Sequence, residues 1–171
     1  DISGLELTSL KPLAQCTNLR TLRAAGVTCG DIEPLTGCPN LRDLDLRDTP
    51  VRDLRPLSRL NALRELRLDR TRVEDLSSLA GLLLLQQLTL IGTGVADVLP
   101  LAELPALERL DLAHAPIHDV RPLGWMPALR WLDLSNTSVE EVSGLASAPR
   151  LEALRLSNTS VAVVSPLARI A

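Results

Sequence analysis

Leucine returns along this chain at one spacing. Leu22, Leu44, Leu66, Leu88, Leu110, Leu132 and Leu154 stand 22 residues apart, with no insertion or deletion between them. A fixed period of roughly 20–50 residues marks an architecture of stacked repeats. Numbered from that leucine, position 3 is Leu with Ala24 as the exception, and positions 14 and 20 are always Leu. Positions 8, 11 and 17 are mostly aliphatic. Residues 22–153 hold six complete repeats; 1–21 form one that lacks its first position, and 154–171 supply the first eighteen positions of another.

Two periodicities alternate inside each repeat. The L-x-L segment has period 2, which predicts a short strand with one buried face. Apolar residues at positions 8, 11, 14, 17 and 20 fall on every third residue, which fits a 3₁₀ segment rather than an α-helix. Each repeat is then one coil of strand, turn, 3₁₀-like segment and return loop. A single coil cannot bury its leucine row, so coils must stack. The expectation is seven or eight parallel strands, one per repeat, about 4.8 Å apart.

The polar positions agree. Thr49, Thr71, Thr93, Thr137 and Thr159 hold position 6, facing inward at the bend after the strand, where a hydroxyl can satisfy backbone groups. Asp31, Asp53, Asp75, Asp97 and Asp119 at position 10 are placed to accept backbone N–H groups as the 3₁₀ segment starts. Proline at position 13 (Pro12, Pro34, Pro56, Pro100, Pro122, Pro166) presets φ where no donor is needed. These roles are structural.

The pattern L-x-L-x-x-T-x-V-x-D-L-x-P-L-x-x-L-x-x-L resembles the leucine-rich repeat, in the 22-residue form of bacterial internalin-like proteins, and covers the whole chain. The resemblance implies an α/β fold: a right-handed, curved solenoid with a concave parallel sheet and a 3₁₀ or irregular convex side, binding a protein partner on the sheet. The family's usual asparagine at position 6 is here threonine, or Leu5, Val27 and Ala115.

Composition narrows the function. With two Trp and no Phe or Tyr, the core is built of aliphatic layers. A net charge of −3 argues against nucleic acid as the main partner. No run of 18 apolar residues could span a membrane; the longest, Leu82 to Leu85, is far too short. Lys11 is the only lysine against many arginines, which points to GC-rich, bacterial coding. Cys16, Cys29 and Cys38 stand at aliphatic positions and read as buried thiols; a Cys16–Cys38 disulfide would join adjacent coils but is unneeded. His114 and His118 are separated by Pro116 and lack a third ligand, so no metal or cofactor is expected. No phosphate loop or nucleophile motif is present, and an open sheet is a poor place to tune a catalytic group. The chain reads as a binding module, not an enzyme.

The positions left free by the fold are 22, 2 and 4, which point away from the core beside each strand. In the early repeats, Arg23, Asp45 and Arg67, and likewise Arg47 and Asp69, read as a ladder of opposite charges on neighbouring strands. Later, Asp111 and Asp133 adjoin as like charges, flanked by Arg109 and Arg155, with Trp131 beside them and His114, Asn136 and Asn158 along the rim. Trp131, Arg109, Asp111, Asp133, Arg155 and His114 are the candidate partner-binding residues, because exposed Trp and Arg dominate interface hot spots. Trp125, at position 16 on the convex side, is expected to pack over a loop. The leading expectation is a protein-interaction module; the alternative is a targeting domain of a larger bacterial enzyme or secreted effector. The chain lacks an initiator Met and stops in mid-repeat, so a fragment of a longer protein is expected. The apolar last coil (Leu154, Leu156, Val161, Val164, Leu167, Ile170) is expected to be covered by another copy or a flanking domain.

Overall fold

A computed structural model describes residues 1–169. Seven three-residue strands form one parallel sheet in chain order: β1 (Thr21–Arg23), β2 (Asp43–Asp45), β3 (Glu65–Arg67), β4 (Gln87–Thr89), β5 (Arg109–Asp111), β6 (Trp131–Asp133) and β7 (Ala153–Arg155). The register is the repeat itself: Leu22 pairs with Leu44, Leu44 with Leu66, and so on to Leu132 with Leu154. The result is a leucine-rich-repeat solenoid.

The opposite side of each coil is a 3₁₀ turn, of which Glu33–Gly37, Arg55–Arg59 and Arg121–Trp125 are typical. Proline sits at the first or second residue of these turns. The aspartate two residues before accepts the first backbone N–H: Asp53 Oδ1 from Arg55 at 2.9 Å and Asp119 Oδ1 from Arg121 at 2.9 Å. The spacing of three explains the four-leucine run. Leu82 and Leu85 are fully buried, whereas Leu83 and Leu84 between them are exposed.

Between the layers, the leucines of positions 1, 3, 14 and 20 are almost wholly excluded from solvent in the complete repeats. The threonines close the bend. Thr49, Thr71 and Thr137 donate their hydroxyls to the carbonyls of Leu46, Leu68 and Leu134, each at 2.6 Å. Each acts within its own coil. Coils are joined beyond the strands by position 5, whose N–H donates to the next coil's position 4 carbonyl, as from Asp48 to Asp69 at 2.9 Å and from His114 to Ser135 at 2.9 Å. That position is left-handed in every coil: Asp48 (φ 59°), Arg70 (54°), His114 (61°), Asn136 (59°) and Asn158 (56°), with Gly4, Gly26 and Gly92 likewise. Asn, Asp and Gly suit it; Arg70 is the costly occupant.

All three cysteines are free thiols, with Cys29 and Cys38 buried and Cys16 half-buried. Burial, and then the nearby Cys16, push the Cys38 thiol up. In the last coil Leu154, Leu156, Val161 and Leu167 are half-buried against the core and Val164 is exposed. Ile170 lies outside the described residues. Among the described residues no helix is long and apolar enough to cross a membrane.

Candidate functional site

Trp131 opens β6 on the sheet face and is half-buried there. The preceding coil supplies Arg109 at the same register. Its guanidinium carbon lies 3.5 Å from the centroid of the Trp131 ring. Arg155, from the following coil, lies 5.3 Å from the same centroid. Arg155 also reaches Asp133 at 3.5 Å. One indole is thus held by arginines of both neighbouring coils. A cation over an indole face contributes about 0.5–1 kcal/mol when exposed.

Asp111 and Asp133 are in register on β5 and β6, as their spacing predicts, but they are not open to solvent: they are 8% and 6% exposed. Asp45 and Asp69 are equally enclosed. The reason is a backbone debt. Each strand ends after three residues, and the N–H at position 4 lacks a strand partner. Asp45 Oδ1 accepts that of Arg47 at 3.1 Å, Asp111 Oδ1 that of Ala113 at 3.2 Å, and Asp133 Oδ1 that of Ser135 at 2.8 Å. Asp69 Oδ1 does the same for Ile91 of the next coil at 3.1 Å. The short side chains thus fold back toward the sheet backbone. The signal in the sequence was the frequency of aspartate at position 2, which outward orientation alone does not explain.

The charges pair differently from the expected cross-strand ladder. Asp45 is held by Arg47 of its own coil, through Nε at 2.9 Å and Nη2 at 2.7 Å. Arg67 holds Glu65, two residues back in β3, at 2.7 Å. A residue two positions along a strand shares its face, and the arginine bends back to it. Asp111 has no such cation. Burial pushes its carboxyl up from the ordinary carboxylate range, and the negative charges of Asp133 and Asp69 add to this, against the lowering pull of the Ala113 N–H and Arg109.

His114 is exposed at the rim beside this cluster, its backbone held left-handed. Asn158 donates to Asn136 at 2.9 Å along the same rim. On the other side of the coil, Trp125 does not pack over a loop. It is 66% exposed and borders an open groove with Leu99, Ala80, Pro100 and Pro127. Position 16 lies at the end of the 3₁₀ turn, outside the buried every-third series, so nothing covers it. Among the described residues no group of three or more His, Cys, Asp or Glu side chains could hold a metal ion.

The family model described as Leucine Rich repeats (2 copies) matches residues 39–81. Those residues are thus similar to the leucine-rich repeat, and the solenoid as a whole is similar in fold to bacterial internalin-like proteins. Its fold is similar to that of internalin C2 from Listeria monocytogenes, with a TM-score of 0.94 and 27% identity over 99% of this chain and 75% of that one. An internalin (inlF) of the same organism matches at a TM-score of 0.79 and 27% identity over 98% of this chain and 56% of that one. The leucine-rich-repeat protein LIC12759 of Leptospira interrogans, at 20% identity and a TM-score of 0.91, shares the fold; this chain spans 45% of it. No curated protein sequence matches the chain. Leucine-rich-repeat domains generally mediate protein–protein interactions, and internalin-like ones are typically binding modules rather than enzymes.

Proposed function

We propose that this chain binds a protein partner on its concave sheet face, with Trp131 at the centre of the contact. The observation that carries this reading is the Arg109–Trp131–Arg155 stack. A large side chain is held in one place without being buried in the core, and preorganised aromatic and arginine groups make effective anchors because little freedom is lost on binding. Asp111, Asp133 and His114 flank it. Among these, Asp111 carries a buried negative charge with no cation of its own, which a partner's basic group would offset. The neighbouring arginines make the patch mixed in charge, which favours a protein surface over a uniformly charged polymer.

The experiment is affinity capture from the native host's extract with three baits: the wild type, Trp131→Ala and Trp125→Ala. A protein retained by the wild type and Trp125→Ala but lost with Trp131→Ala supports the reading. With the isolated partner, Trp131→Ala or Arg109→Ala is expected to weaken binding by about 1–3 kcal/mol. Asp133→Asn is a better probe than Asp133→Ala, because it keeps an acceptor for the Ser135 N–H. Equal retention by all three baits overturns the reading. The same contact would serve the alternative role, that of a targeting domain directing a larger bacterial enzyme or secreted effector to its target.

A further inference from the structure

The arginines of this chain fall into two kinds. Arg52, Arg55, Arg70 and Arg121, among others, each hold a carboxylate. Others, Arg59, Arg72 and Arg150 among them, hold none, and three of this kind fall together: among the described residues no carboxylate lies within ion-pairing distance of Arg20, Arg42 or Arg64. All three are exposed, and they immediately precede β1, β2 and β3. They are one column. The Arg42 N–H donates to the Arg20 carbonyl at 2.7 Å, and the Arg64 N–H to the Arg42 carbonyl at 2.8 Å. Their backbones therefore stack at one strand spacing, about 4.8 Å.

Three unpaired like charges at that spacing repel one another. The nearest acids in sequence are engaged: Asp43 accepts the Thr21 hydroxyl at 3.0 Å, and Glu65 is held by Arg67. Further along, the same column solves the problem differently. Glu108, Arg130 and Glu152 alternate in sign, and Arg130 pairs with Glu152 at 2.5 Å. The fold thus permits pairing at this position, and the first three coils leave it unmade.

We propose that the edge formed by Arg20, Arg42 and Arg64 receives an acidic segment of a protein partner, with its carboxylates taken up by successive coils. A guanidinium presents a planar fork that binds a carboxylate through two parallel N–H bonds. Arg23 at the end of β1, also without an ion pair, extends the positive edge onto the sheet. A nucleic acid fits less well, because the positive edge spans only three coils of a chain whose net charge is −3. This inference rests on the protein-binding reading above but uses a different surface.

The test is fluorescence anisotropy with a dye-labelled oligoglutamate peptide at low salt. The wild type is expected to bind, with affinity falling as salt rises. Arg20→Gln/Arg42→Gln/Arg64→Gln is expected to lose at least about tenfold in affinity. The control Arg52→Gln/Arg55→Gln/Arg121→Gln removes the same charge from paired arginines and should leave binding within about twofold. Circular dichroism checks that each is folded; if the triple variant is not, Arg42→Gln alone should still lose about threefold. Unchanged affinity in the edge variants overturns the proposal, as does an equal loss in the control. So does a labelled oligothymidylate of matched charge binding as tightly as the peptide. Because Trp131 is untouched in every variant, Trp131-dependent capture separates failure here from failure of the broader reading.

Discussion

The Arg109 guanidinium stacks 3.5 Å from the centre of the Trp131 ring, although the two residues are 22 apart in sequence and on different strands. The repeat period makes the stack: whatever occupies position 22 of one coil lies beside position 22 of the next. In a Trp125→Phe background, where Trp131 is the only indole, Arg109→Ala should therefore shift the fluorescence emission to the red. An unchanged spectrum would mean the stack is not formed in solution. Trp131→Ala itself should cost no more than about 1–2 kcal/mol of stability, since the ring is only half-buried and the cation contact is modest; a calorimetric loss well beyond that would make the tryptophan structural.

Asp111 carries the most conspicuous electrostatic cost. Its carboxyl is raised by burial and by Asp133 and Asp69. A carboxyl whose folded pKa exceeds its unfolded value costs stability in full above the folded pKa; the cost shrinks as pH falls from there and is gone below the unfolded value. Asp111→Asn keeps an oxygen for the Ala113 N–H and removes the charge. It should raise stability, and with it Tm, at pH 7. The gain should shrink at acid pH, where wild-type Asp111 is itself protonated. A variant less stable than wild type at pH 7 would show that the charge is satisfied after all.

Asp53 and Asp119 behave in the opposite sense. The side-chain hydrogen bonds from Arg55 and Arg121, followed by the backbone N–H of the same residues, hold each carboxyl down to about 2. A depressed folded pKa contributes stability that is present above the unfolded value of about 3.9 and is lost as pH falls through the folded one. Thermal melts should weaken between about pH 4 and pH 2. In Asp53→Asn/Asp119→Asn that part of the pH dependence should flatten, and an undiminished acid transition would exclude these two groups as its source.

How much of this could be read in the amino acids differs by position. Strands, register and 3₁₀ turns follow from two periodicities, and the roles of Thr71 and Asp53 follow from their place at a bend and at a turn start. Trp131 and Arg109 could be brought together because stacking adjacent coils is a matter of counting by 22, and Arg155 follows two residues after Ala153, the register partner of Trp131, on the same face. The enclosure of Asp111 and Asp133 could not, because it depends on how a short side chain reaches back to a backbone N–H that the three-residue strand leaves unpaired. The pairing of Asp45 with Arg47 rather than Arg67 depends on side-chain conformations within one face. Trp125 was misjudged because large apolar residues are ordinarily covered, and only the three-dimensional course of the convex turn shows that this one is not.

Close packing between coils sets a further expectation. Gly124 is buried, and a Cβ there would run into the carbonyl oxygen of Gly144 in the next coil. Gly124→Ala should destabilise the chain by at least about 1–3 kcal/mol, as overpacking does, whereas Gly81→Ala, where a Cβ meets nothing, should be nearly neutral. Equal melting temperatures for the two variants would show that the turns can slide apart at little cost.

Thr71→Val keeps the shape of a buried side chain and removes the hydroxyl that donates to Leu68. The loss should be about 1 kcal/mol, because the Leu68 carbonyl retains the Thr71 N–H at 3.2 Å. A loss above about 3 kcal/mol in a denaturant titration would assign the hydroxyl a larger part than closing one bend.

Strands here touch only adjoining strands, and 3₁₀ turns only adjoining turns. In such a rod, an event at one coil reaches a distant one only through every coil between them. If the arginine edge of β1–β3 and the tryptophan stack at β6 both bind as proposed, they should be independent in their own affinities, neither needing to be occupied for the other to bind. What links them is length. From β2 to β6 is four strand spacings, about 19 Å, so on the proposed readings a partner whose acidic segment and main surface are separated by that distance would engage both, the second contact being made at high effective concentration. One whose spacing differs engages only one. The constant repeat thus acts as a ruler, and selectivity can reside in the distance between two moderate contacts rather than in either contact alone.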